Sequence, residues 1–115
     1  MEALKRGDVW IASGAADYAG KPRPFVIVHD DRLGITGSAT VCGFTTDPAD
    51  APFFRIPVDP TALNGLKEHS RLMVDKVTTV PRGKLGRRIG RLADEDIAKL
   101  NRALAIFLGL GEWRR

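Results

Sequence analysis

Asp94-Glu95-Asp96-Ile97-Ala98-Lys99-Leu100-Asn101-Arg102-Ala103-Leu104-Ala105-Ile106-Phe107-Leu108 is the stretch on which the fold class turns. Three anions open it, where free N–H groups and the helix dipole favour negative charge. Ile97, Leu100, Leu104, Phe107 and Leu108 recur at helical spacing, while Lys99 and Arg102 fall on the other side. Gly109 and Gly111 close it. The apolar stripe is predicted to be core or a dimer contact, not a cofactor site.

Upstream the character changes to short runs punctuated by Gly and Pro. Asp8–Ser13 is a strand candidate between Gly7 and Gly14. Phe25-Val26-Ile27-Val28-His29 is β-branched and continuous, the pattern of a strand buried on both faces. Ser38–Thr45 follows a polar turn, and Gly43 within it suggests a bulge or a close backbone approach. Pro52–Val58 reads as an edge strand, Pro60–Leu66 as one turn of helix, and Ser70–Val80 as a strand or a bent pair. Five or six strands before one helix predict an antiparallel sheet or small barrel with a segregated helix, the α+β class.

A chain of 115 residues is the length of one domain, spanning 1–115, and it can bury a core without staples. With 43% apolar and 28% charged residues it is neither disordered nor fibrous. Cys42 is the only cysteine, and His29 and His69 lie far apart, so a structural zinc site is excluded and no metal or cofactor is expected. No apolar stretch approaches the ~18 residues that span a bilayer, and the N-terminus lacks the core of a secretory signal. The expectation is a soluble, reduced, cytoplasmic protein with no membrane partner.

The net charge of +4 is unevenly spread: residues 1–60 carry −2 and residues 61–115 carry +6. Most of the imbalance lies in Arg82-Gly83-Lys84-Leu85-Gly86-Arg87-Arg88-Ile89-Gly90-Arg91, with five cations and no anion. Such a field attracts polyanions, although most charge runs are simply solvated loops.

Several signatures then line up in order: Lys5-Arg6-Gly7-Asp8-Val9-Trp10, Arg23-Pro24-Phe25-Val26-Ile27-Val28, Ala39–Thr45, Ser70–Val80 and Leu85–Gly90. Together they resemble the MazF/PemK family of toxin–antitoxin endoribonucleases over nearly the whole chain. The resemblance implies an SH3-like small antiparallel β-barrel with a C-terminal helix, commonly a homodimer. It implies metal-independent cleavage of single-stranded RNA at short preferred sequences, silenced by a cognate MazE-like antitoxin. CcdB, a gyrase poison in a neighbouring branch, shows that the fold alone does not settle activity.

RNA can be severed without metal when its own 2′-hydroxyl attacks the adjacent phosphorus, given a base, an acid and donors for the extra phosphoryl charge. Arg23 aligns with the arginine that family members place beside the scissile phosphate, and its charged planar fork suits that role. Thr45 aligns with the family's catalytic threonine, and Thr46 beside it is placed to share the task. Asp75 matches an acidic position used as a base or for RNA contact; near Arg23 its pKa would fall.

Tyr18 and Lys21 offer a stacking face and a phosphate contact in a loop shorter than usual for the family. Lys76 and Thr78 replace a glutamine and an arginine that line the family's RNA groove. Arg82, with Lys84, Arg87 and Arg88, would extend the positive track or serve an acidic antitoxin segment. Met73 departs from the PemK-like branch, which has an arginine there. His29, His69 and Cys42 read as structural. Trp113, near the C-terminus, is the feature that a CcdB-like topoisomerase inhibitor would share.

Overall fold

Successive side chains of a strand point to opposite faces, so a run that is apolar at every position needs cover on both. Phe25-Val26-Ile27-Val28 has that cover: Val26 and Val28 enter one core, Phe25 and Ile27 another. The computed structural model describes residues 3–13, 21–34, 36–48 and 54–111. Within them lie seven strands, β1 (Asp8–Ala12), β2 (Arg23–Ile27), β3 (Ser38–Thr45), β4 (Arg55–Val58), β5 (Ser70–Met73), β6 (Thr78–Pro81) and β7 (Leu85–Arg91), then one helix, α1 (Asp94–Phe107).

All the pairings are antiparallel, in the order β4-β5-β3-β2-β1-β7, with β6 also on β3. The ladder starts at β4 and stops at β7, so the expected barrel is a sheet not closed by hydrogen bonds. β3 is its hub. On one edge Val41, Cys42 and Gly43 meet Ile27, Val26 and Phe25 of β2. On the other edge Phe44 and Thr45 meet Leu72 and Arg71 of β5, while Ser38–Val41 meet β6. A 3₁₀ turn, Val74–Lys76, carries the chain from β5 to β6, which makes Ser70–Val80 the bent pair.

The two cores follow from alternation. One holds Val9, Val26, Cys42, Phe44 and Leu72 against Leu100 and Ala103 of α1. The other holds Trp10, Ala12, Phe25, Ile27, Ala39 and Val41. The helical stripe divides accordingly: Leu100 is fully buried and Ile97 and Leu104 pack on the core, but Phe107 and Leu108 stand 43% and 52% exposed. Phe107 rests against Phe54, ring centroids 5.8 Å apart.

Three local expectations change. Gly43 pairs with Phe25 in unbroken register, and the sheet's irregularities lie between β1 and β7 instead. The Pro60–Leu66 turn is closed by one helical bond, Gly65 N–H to the Thr61 carbonyl at 3.0 Å, without becoming regular helix. The cationic run is partly strand: after a 3₁₀ turn at Arg82–Lys84 it becomes β7, on the sheet's edge. Edge strands tolerate charge because one side meets water and like charges there discourage further pairing. Pro57, which has no N–H to give, sits in the other terminal strand, β4, as expected.

Candidate active site

The β2–β3 register decides where the two principal candidates stand. Carried on by two residues from Phe25 and Gly43, it sets Arg23 across from Thr45, on the same face of the sheet. Both line a cleft of ≈ 590 Å³ whose floor includes Phe44 and Leu66 of the first core. Its other walls come from Ile11 and Pro22, from the segment Gly65–Glu68 with Ser70, and from Arg87, Arg88 and Ile89 of β7.

Arg23 opens β2 and is exposed at the cleft. Thr45 closes β3 half-buried, and its Oγ1 accepts the Asp47 N–H at 3.1 Å. That bond orients the hydroxyl and leaves its proton for donation. Thr46, next in the chain, also lines the cleft. Among the described lining residues four cations, Arg23, Lys67, Arg87 and Arg88, face one carboxylate, Glu68. The field is strongly positive. Arg88 has a second duty, because its Nε lies 3.2 Å from Oδ1 of the buried Asp8.

Asp75 lies elsewhere. It sits in the 3₁₀ turn after β5 and is gripped by Arg55, Nε to Oδ1 at 2.7 Å and Nη2 to Oδ2 at 3.0 Å. The carboxylate is near an arginine, but that arginine is Arg55 and not Arg23, and Asp75 is outside the cleft lining. Arg55 holds the Asp75 carboxyl below its usual range, against the opposing effect of burial. Its stabilisation is therefore present above the pKa of a free carboxylate, about 4, and is lost as pH falls through the lowered folded value. Asp75→Asn is expected to cost about 2 kcal/mol at pH 7, since it removes the carboxylate charge that a sheltered guanidinium faces. Urea midpoints at pH 7 and pH 3 check this: the gap between wild type and variant should narrow at pH 3, and an unchanged gap contradicts it.

Lys76, Thr78 and Arg82 also lie outside the cleft lining, because of the bend between β5 and β6. β5 meets β3 at Thr45, whereas Thr78 meets Val41 and Pro81 meets Ser38. At about 3.3 Å per residue, four residues of strand separate Thr78 from the Thr45 end by about 13 Å. Arg82 is tied to the far side, its N–H donating to the Gly37 carbonyl at 2.8 Å. Lys21 is exposed beside the lining residue Pro22 without itself lining the cleft. Tyr18 and Trp113 lie outside the described residues.

Neither histidine lines the cleft: His29 Nδ1 is 3.0 Å from the Asp30 carbonyl, and His69 Nδ1 is 2.7 Å from Asp59 Oδ1. Burial, followed by the nearby Asp75 charge, pushes the Cys42 thiol up to about 12, which makes it inert. Among the described residues no group of three or more His, Cys, Asp or Glu side chains is gathered for a metal. Sequence reasoning passed over Lys67 and Glu68, whose only local signal was an isolated pair of opposite charges in a turn.

Over residues 5–108 the chain matches the family described as PemK-like, MazF-like toxin of type II toxin-antitoxin system. The probable endoribonuclease MazF of Mycolicibacterium smegmatis is 50% identical over 107 residues, covering 93% of this chain and 98% of that protein. The solved Mycobacterium tuberculosis toxin MazF-mt6 is 30% identical, with a TM-score of 0.76 over 92% of this chain and 99% of that one. A mycobacterial endoribonuclease solved in complex with its cognate antitoxin shares the fold, at 24% identity and a TM-score of 0.78, covering 99% of this chain and 100% of that one.

Proposed function

Because the chain belongs to the PemK-like, MazF-like toxin family of type II toxin–antitoxin systems, we propose that it is an endoribonuclease toxin which cuts single-stranded RNA at preferred sequences. The observation that carries this reading is the convergence of Arg23 and Thr45 on one cation-lined cleft. The RNA supplies its own nucleophile. The 2′-oxygen bonds to phosphorus as its proton leaves, the bond from phosphorus to the 5′-oxygen breaks, and that oxygen takes a proton. The products are a 2′,3′-cyclic phosphate and a 5′-hydroxyl.

Charge accumulates on the non-bridging phosphoryl oxygens along this path, so donors aimed there lower the barrier more than they favour the bound substrate. Arg23 offers a charged fork to those oxygens, and Thr45 adds a neutral O–H whose other side is anchored by the Asp47 amide. Neither group needs a metal to do this. Arg23, guanidinium throughout, takes no proton, so a different group receives the one released by the 2′-hydroxyl.

The same cleft suits an acidic segment of a cognate antitoxin, which would compete with RNA for the cations. The chain works as a cytoplasmic homodimer; the exposed Phe107, Leu108 and Leu110 at the end of α1 support a protein contact there. No helix among the described residues is long and apolar enough to cross a membrane. The gyrase-poison alternative draws no support from the relatives, which are named endoribonucleases.

The test is a mixed pool of single-stranded RNA incubated with the protein and a chelator, with both new ends mapped. Cutting should persist with chelator, leave cyclic phosphate and 5′-hydroxyl ends, and stop when the residue 5′ to the cut is 2′-deoxy. Equal cutting of the deoxy substrate refutes attack by the 2′-oxygen.

A further inference from the structure

Among the described lining residues, Glu68 is the one whose charge works against a polyanion. A carboxylate among bound phosphates weakens RNA binding by repulsion, unless it meets a part of the RNA other than phosphate. Glu68 is exposed, and among the described residues its carboxylate has no ion-pair or hydrogen-bond partner. It is not part of the protein's internal scaffolding.

Its backbone, however, is held firmly. Asn64, 2% exposed, donates Nδ2 to the Asp59 carbonyl at 2.8 Å, and its Oδ1 accepts from the Thr61 and Leu66 amides at 3.0 and 2.9 Å. The Arg91 N–H donates to the Leu63 carbonyl at 2.9 Å, joining the turn to β7. Gly65, at φ +70°, lies so close that a Cβ there would stand 2.2 Å from the Ile89 carbonyl oxygen. On the other flank the Ser70 hydroxyl donates to the Glu68 carbonyl at 3.0 Å. The segment is thus a rigid shelf that presents Lys67 and Glu68 to the cleft shared with Arg23 and Thr45. Preorganised polar groups of this kind discriminate ligands, because little ordering cost is left to blur the difference.

An ionised carboxylate can only accept. Unpaired RNA bases expose their Watson–Crick edges, on which cytosine, adenine and guanine each carry an exocyclic amino donor. Uracil has no amino group there: its single ring N3–H is flanked on both sides by carbonyl oxygens, which repel the carboxylate. We propose that Glu68 reads one base of the RNA through its exocyclic amino group and rejects uracil at that position. This rests on the ribonuclease reading of the cleft and names the element that sets part of its sequence preference.

The experiment is end-mapped cleavage of a randomised single-stranded RNA pool by wild type, Glu68→Ala, Glu68→Gln and Glu68→Lys, each normalised to its own total. Wild type should disfavour uracil about tenfold at one position near the cut, the discrimination expected of one good base contact. The base enriched there identifies which amino group is read. Glu68→Ala should bring uracil to within about twofold of the other bases at that position only, and Glu68→Lys should turn the preference toward uracil, whose edge carries two carbonyl acceptors and no amino group. Identical preferences in all four proteins overturn this inference alone. So does a uniform loss of cutting in Glu68→Gln together with loss of the acidic limb of the pH–rate profile, which would make Glu68 a proton acceptor. A wild type that cuts nothing overturns the ribonuclease reading, and this inference with it.

Discussion

An Arg23→Ala variant should melt at the wild-type temperature and cut RNA about 100- to 1000-fold more slowly, the usual loss when one donor to a developing oxyanion is removed. Arg23 is exposed at the first position of β2, so shortening it opens no cavity. Its loss should appear in the chemical step more than in RNA binding, because Lys67, Arg87 and Arg88 still line the cleft. Arg23→Lys separates charge from geometry: a lysine keeps the positive charge but not the fork, and should restore only part of the rate. Thr45→Val, which keeps the shape and removes the hydroxyl, should be impaired less than Arg23→Ala. Single-turnover rates on a mapped RNA site, with thermal melts alongside, test the set. Full activity in Arg23→Ala would take away the centre of the mechanism.

Gly90→Ala should lower the melting temperature by about 10 to 15 °C, corresponding to roughly 3 kcal/mol in a domain of this size. A Cβ at Gly90 would lie 2.3 Å from the Leu63 carbonyl oxygen and 2.5 Å from the Asn64 carbonyl carbon. Those atoms are backbone, and the turn they belong to is tied down by the buried Asn64, so neither side can yield by a rotamer change. The turn is expected to lift from β7, carrying Lys67 and Glu68 away from the cleft, so cleavage should fall along with stability. Gly83→Ala is the control: a Cβ there meets nothing within 4 Å, and its melting temperature should stay close to wild type. If both variants melt alike, the close approach of the turn to β7 is not the constraint described.

How legible each feature was depends on whether neighbours along the chain suffice to define it. Phe25–Val28 announces a strand with two covered faces because every side chain is apolar, and β3 has the boundaries its residues suggest. β7 was harder, since an edge strand that carries Arg87 and Arg88 shows no alternation of apolar and polar residues. Its only buried residue, Gly90, has no side chain from which burial could be inferred. Asp75 misled for a related reason: a carboxylate at the end of a strand signals a cationic partner without naming it, and where Arg23 was expected, the register of β4 on β5 sets Arg55 across from Met73 and brings it to Asp75.

The order of residues alone determined the α+β class and the amphipathic helix with its glycine stop, because these rest on local periodicity; the candidacy of Arg23 and Thr45 came from the family resemblance of the motifs around them. Tertiary structure alone decided that Arg23 and Thr45 share a face, that Asp75 belongs to Arg55, and that Glu68 stands in the cleft. These are relations between segments far apart in the chain. They are set by strand register and by the closeness of backbone to backbone, and a one-residue slip in register would turn the same side chains to opposite faces.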